Sequence, residues 1–134
     1  MPSSFKTPLR LEFRDDSLFQ LTESFEFLSE VTESIIRIPA GFVTDFASIP
    51  RVLWNILPPT GRYGKAAVVH DWLYQTRDAG THKVWRDEAD AVLREGMVAL
   101  KVPWWQRWMI YVGIRIGGGV AWGHYRRLEF SRLL

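Results

Sequence analysis

The residues best equipped for chemistry are His70, Asp71 and Tyr74, in the run His70-Asp71-Trp72-Leu73-Tyr74, with Asp90 twenty positions later. Imidazole titrates near neutral pH, one carboxylate can orient it, and a second supplies charge for a hard cation. On a helix, His70 and Tyr74 share a face at i,i+4, and Asp71 sits about 100° round. An Asp90 facing His70 from the next helix would accept a hydrogen bond from one ring nitrogen. The tautomer is then fixed and the other nitrogen is left to activate a water. Asp71 would hold a cation or position a substrate. The same residues have a plainer reading: a His at the edge of a helical apolar face, paired with one Asp, is a satisfied structural contact. A dry, closed His70–Asp90 pair would favour that reading.

Asp45 and Ser48 lie in the Pro-bounded stretch Gly41-Phe42-Val43-Thr44-Asp45-Phe46-Ala47-Ser48-Ile49-Pro50-Arg51. They read either as an Asx-type turn or as rim groups of the His70 site. A Ser48–His70–Asp90 triad is formally available, but no nucleophile-elbow glycine pattern surrounds Ser48. His82 and His124 are the only other histidines, one in a polar turn and one in a basic tail, which argues against a multi-His metal site. Gly61-Arg62-Tyr63-Gly64-Lys65 offers backbone groups to an anion or to Ca²⁺, without a phosphate-loop pattern. In Pro103-Trp104-Trp105-Gln106-Arg107-Trp108, helical spacing puts Trp105 and Trp108 on an apolar stripe expected in the core. Trp104 and Arg107 fall outside it, as candidates for a protein or lipid contact.

These residues must be positioned by the elements around them. Leu9, Leu11 and Phe13 alternate with charged residues, Asp15-Asp16 offers a turn, and Phe19/Leu21, Phe25/Phe27 and Ile36/Ile38 continue a period of two. That pattern predicts an antiparallel sheet with one buried face over 1–41. Residues 42–64, with Pro50, Pro58, Pro59, Gly61 and Gly64, read as a long loop. From Lys65 the period becomes helical: one helix to just before Asp78-Ala79-Gly80, a second over 85–100, and a third from Pro103. The third carries Trp105, Trp108, Met109, Val112 and Ile116 as its stripe, and Gly117-Gly118-Gly119 is expected to stop it. Residues 119–134 read as a basic tail. The expectation is a single α+β domain over 1–134, a small N-terminal antiparallel sheet packed on about three helices.

Composition narrows the classes of function. Of 134 residues, 47% are hydrophobic and 24% charged, which excludes global disorder. The absence of cysteine excludes disulfides, thiolate metal sites and a thiol nucleophile. Residues 1–64 carry six Lys and Arg against eight Asp and Glu, whereas residues 101–134 carry six against one. That basic third would suit an acidic partner, a phosphate-rich surface or an anionic membrane, or simply be a solvated face. The start has no apolar signal-peptide region, and Arg107 and Arg115 interrupt the longest apolar stretch, so no lone spanning helix is expected. Seven Trp are well above ordinary usage and are expected mostly in helix packing.

PAGFVTDFASIPR, AAVVHDWLY and RDEAD, in that order, resemble a family of small proteins of tailed bacteriophages and prophages catalogued as a domain of unknown function. The resemblance runs from about Ile38 to Ile116 and implies phage or prophage origin, with no established activity. Separately, His-Asp-x-x-Tyr on one helix with an Asp on the next is similar to the active-site pair of secreted phospholipases of the A2 type. This second resemblance implies His70 as general base, Asp71 as Ca²⁺ ligand, Asp90 as orienting acid and Tyr74 as supporting hydroxyl. The chain departs from those enzymes in lacking their cysteines, and 61–64 is a loose stand-in for their calcium loop.

The expected function is a phage-encoded accessory protein with a hydrolase-like site acting on lipid or cell-envelope esters, with Ca²⁺ as the one candidate cofactor. The alternatives are a virion or tail-assembly component whose His/Asp cluster is structural, and a membrane-surface protein of lysis using helix 103–116. Expected partners are phage structural proteins or cell-envelope components, with peripheral membrane contact and no specific nucleic-acid binding. Synthesis is expected in the host cytoplasm, with incorporation in the virion as a further option.

Overall fold

The computed structural model describes residues 3–15, 18–46, 49–55 and 62–133. Asp16, Ser48 and the breaker at 58–61 lie outside them. Strands β4 (Phe25–Ser29) and β5 (Ser34–Ile38) pair antiparallel, with Phe25 opposite Ile38 and Phe27 opposite Ile36. Those four side chains are fully buried. On the other face Glu26 and Arg37 meet at 2.6 Å, so the period of two sorts apolar from charged side chains as it should. Strand β1 (Ser4–Phe5) adds to the free edge of β4.

Two small sheets stand where one was expected. Strands β2 (Leu11–Asp15), β3 (Leu18–Leu21) and β6 (Val43–Thr44) form the second, also antiparallel. Gly41, at φ +92°, turns the chain so that β6 takes the remaining edge of β3, with Leu21 N–H donating to Phe42 O at 2.9 Å. Phe13, expected inside, is exposed and rests edge-on against Phe19 at 5.4 Å. The stretch read as loop thus contains β6 and a single helical turn, α1 (Arg51–Trp54).

Helix α2 (Gly64–Thr76) ends where expected. Arg77 adopts φ +61° and returns its N–H to Leu73 O at 2.8 Å. Helix α3 (Arg86–Ala99) begins with Asp87 and Glu88 in its first turn, complementing the helix dipole. Gly96 lets it approach α2: a Cβ there would lie 2.8 Å from Ala66 Cβ.

Helix α4 (Trp104–Leu133) corrects two expectations. It runs for 30 residues straight through Gly117-Gly118-Gly119, and the basic tail is its second half. Glycine costs about 1 kcal/mol per position in a helix, but tertiary contacts override that preference here. A Cβ on Gly118 would lie 2.8 Å from the Tyr74 hydroxyl, and one on Gly117 3.0 Å from Pro50. Beyond the glycines Trp122 stacks edge-on against Tyr74 at 5.1 Å, and Arg126 donates to the carbonyls of Tyr74 and Gln75 at the end of α2. The second correction concerns phase. The buried positions are Ile110, Ile114 and Gly118, while Trp105, Trp108 and Ile116 are exposed. Of the stripe read as core, Met109 packs against the core and Val112 is half-buried, whereas Trp105, Trp108 and Ile116 face outward. Trp85 and Trp104 are exposed as well, so four of the seven Trp are not core residues.

Candidate functional site

The polar centre of the molecule is built between α2, α3 and α4. His70 Nε2 lies 2.7 Å from Asp90 Oδ1, and the Tyr74 hydroxyl donates to the same oxygen at 2.7 Å. Arg115, from α4, donates to Asp90 Oδ2 at 2.6 Å, and Arg86 Nε stands 3.8 Å from that oxygen. Arg86 also donates to the carbonyls of Ile114 and Arg115, tying α3 to α4. The side chains of His70 and Asp90 are both 0% exposed.

The electrostatics follow from this burial. Desolvation holds the His70 pKa below its ordinary value, against the opposing pull of Asp90. The lowered value favours the neutral ring, which donates from Nε2 to Asp90. Burial alone would raise Asp90, but hydrogen bonds from His70, Tyr74 and Arg115 outweigh it and hold the carboxylate ionised. Burial drives the Tyr74 hydroxyl upward, so it acts as a donor and not as an acid.

Asp71 points elsewhere, about 100° round α2. Its Oδ2 accepts from Thr44 Oγ1 on β6 and from Gln75 Nε2 at 2.9 Å, while its Oδ1 is buried with no hydrogen-bond partner. Burial pushes its pKa up to about 7, opposed by Thr44 and Gln75 and assisted by the charge of Asp45. This donor set suits calcium poorly. Ca²⁺ takes 6–8 oxygens from ionised or carbonyl groups. Here Asp71 offers a single carboxyl whose Oδ2 already accepts from Thr44 and Gln75, and no group of three His, Asp or Glu side chains converges among the described residues.

The other sequence candidates are dispersed. Asp45 lines a cleft of about 580 Å³ between the loop after β6 and α4, with Pro50, Val120, His124, Tyr125 and Arg127. His70, Asp71 and Asp90 do not line it. Ser48 lies outside the described residues. His82 is exposed and contacts Glu88 at 3.3 Å. The structure thus brings His70, Tyr74 and Asp90 together and separates Asp71 from them. It adds Arg86, Arg115, Thr44 and Gln75, which sequence reasoning missed. Arg86 stands one helical turn before Asp90, and Arg115 is a lone charge in an apolar stretch; both were signals of a buried acidic partner.

A family model described as "Protein of unknown function (DUF1353)" matches residues 19–114. An uncharacterized protein of Sinorhizobium fredii, y4jT, is 32% identical over 103 residues, which is 75% of this chain and 29% of that protein. The chain therefore spans less than a third of that relative. No solved structure matches.

Proposed function

The chain belongs to the DUF1353 family, and from that premise we propose that it is a non-enzymatic accessory module of tailed phages or prophages. On this reading the His/Asp cluster holds the helices together and function resides on the surface. One observation carries it: His70, Asp71 and Asp90 are all 0% exposed. A general base must reach its proton directly or through one water. The cleft of about 580 Å³ is lined by other residues. Both oxygens of Asp90 are engaged by side chains of three helices, the pattern of a satisfied buried network. The 29% share of y4jT that aligns suits a module that also works inside longer chains. The phage setting rests on the three linked motifs between Ile38 and Ile116.

A second reading, ester hydrolysis with His70 as base, has its own support in the neutral imidazole held on Asp90 by Nε2, with Tyr74 steadying the acid. In it the imidazole would take the proton of a water attacking the ester carbonyl, once the helices part enough to admit substrate.

Assays of the full chain on phospholipid vesicles and small aryl esters, with and without Ca²⁺, separate the two readings. No turnover is expected, and His70→Gln is expected to lower the unfolding midpoint. Hydrolysis by the wild type that a folded His70→Gln variant loses would establish the enzyme instead.

A further inference from the structure

We propose that the outward face of α4 docks this domain on an anionic lipid surface. The proposal names the partner of the surface-acting module above and rests on that reading. Helix α4 is apolar on two sides. Ile110, Ile114 and Gly118 face the core, followed by Ala121, Trp122 and Tyr125. On the opposite side Trp105, Trp108, Val112, Ile116 and Val120 recur at helical spacing. Trp108 is 64% exposed, Ile116 82% and Val120 79%, with Trp104 beside them at 71%. From Trp104 to Val120 the stripe runs roughly 24 Å at 1.5 Å per residue, and exposed Phe130 lies further along the same side. Solvent-facing apolar stretches of this extent on soluble proteins mark interaction sites.

Charge decides the occupant. From Lys101 onward there are six Lys and Arg against one acid, Glu129; Arg115 is paired with Asp90 and Arg126 with Glu129, which leaves Lys101, Arg107, Arg127 and Arg132 as the basic excess. Glu129 is itself taken by Arg77 and Arg126. A second copy would bring two such basic segments together, whereas anionic headgroups complement them. Near the start of the stripe, Arg94, Arg107, Trp104, Trp108 and Tyr111 line a depression of about 400 Å³, which offers two guanidinium groups to a lipid phosphate. Trp carries an apolar body and an N–H donor, which suits the headgroup boundary. No helix among the described residues is long and apolar enough to cross a membrane. The geometry is that of a helix lying in the interface plane.

Sedimentation of the full chain with phosphatidylglycerol–phosphatidylcholine vesicles, against phosphatidylcholine vesicles alone, tests the proposal. Binding is expected with the anionic vesicles and not the neutral ones, and is expected to disappear at about 1 M salt. Arg94→Gln and Arg127→Gln should each weaken it about fivefold. Trp108→Ser with Ile116→Ser should weaken it at least about tenfold without changing the circular dichroism, since both side chains are outside the core. Equal binding to both vesicles, or binding untouched by that pair, overturns the proposal. So does a lipid-free dimer that the pair dissolves, which would assign the face to a second copy, or saturable binding to an acidic polypeptide with none to vesicles. Lipid hydrolysis abolished by His70→Gln, with vesicle binding retained, would overturn the non-enzymatic reading and leave the docking face standing. Absent binding with no hydrolysis would overturn the face alone.

Discussion

Asp90 gathers four groups, His70, Tyr74, Arg115 and Arg86, from three helices. Removing it leaves the buried donors of His70 and Tyr74 and the Arg115 guanidinium without their acceptor and takes the counter-charge from Arg86, so Asp90→Ala is expected to cost about 3–5 kcal/mol in denaturant unfolding. A loss below about 1 kcal/mol would mean the cluster does not hold the fold. His70 and Asp71 pull stability in opposite directions with pH. The lowered pKa of His70 means its contribution is present above the ordinary His value near 6.5 and is lost as pH falls. The raised pKa of Asp71, about 7, means its contribution is present below the ordinary carboxyl range and is lost as pH rises through 7. Asp71→Asn removes that ionisation and keeps an acceptor for Thr44 and Gln75. It should be more stable than the wild type by roughly 1–3 kcal/mol above about pH 7, with the gap closing toward about pH 4. Thermal unfolding across that range checks the sign.

At the scale of elements, the helices cross where glycine permits it. Gly96→Ala would gain helix propensity, yet its Cβ would meet Ala66 Cβ at 2.8 Å and Phe5 Cζ at 3.3 Å. The overpacking should win and destabilise the fold by roughly 1–3 kcal/mol. Gly123 is the contrast: a Cβ there meets only the Arg127 guanidinium, at 3.4 Å, which can move. Gly123→Ala should therefore stabilise by about 0.5–1 kcal/mol. Urea midpoints of the two variants, moving in opposite directions, would establish that packing against α2 decides the outcome at Gly96 and helix propensity decides it at Gly123.

For the whole molecule, the second half of α4 is the telling part. The family match ends at residue 114, yet the residues beyond it close the domain. Trp122 covers Tyr74, and Arg126 caps the last carbonyls of α2. Ending the chain after Gly117 is expected to lower stability by roughly 3 kcal/mol or more in thermal unfolding. An unchanged midpoint would make 118–134 an appendage. The same helix turns its other side to solvent, so one element both completes the core and presents an exposed apolar face.

Much of this was legible in the residues themselves. Alternation at 25–38 fixes which side chains of β4 and β5 are buried, because a strand has only two faces. The i,i+4 spacing of His70 and Tyr74, with Asp90 on the next helix, brings the three together, because helix geometry leaves few alternatives once α2 and α3 pack. A helical stripe, by contrast, records that a face is apolar and not what covers it. The apolar face Trp105–Trp108–Ile116 and the narrower one at Ile110–Ile114–Gly118 compete for the core. The second wins because its glycine admits Tyr74 and its neighbour Arg115 reaches Asp90. The run Gly117-Gly118-Gly119 is likewise a stop by local propensity and a close crossing in the folded chain. Local rules therefore determined β4, β5, α2, α3 and the His/Asp/Tyr cluster, while the length of α4 came from its tertiary contacts. The tertiary structure alone decided the burial of that cluster, the separation of Asp71 from it and the side of α4 that meets water, because each depends on which surfaces are brought against one another.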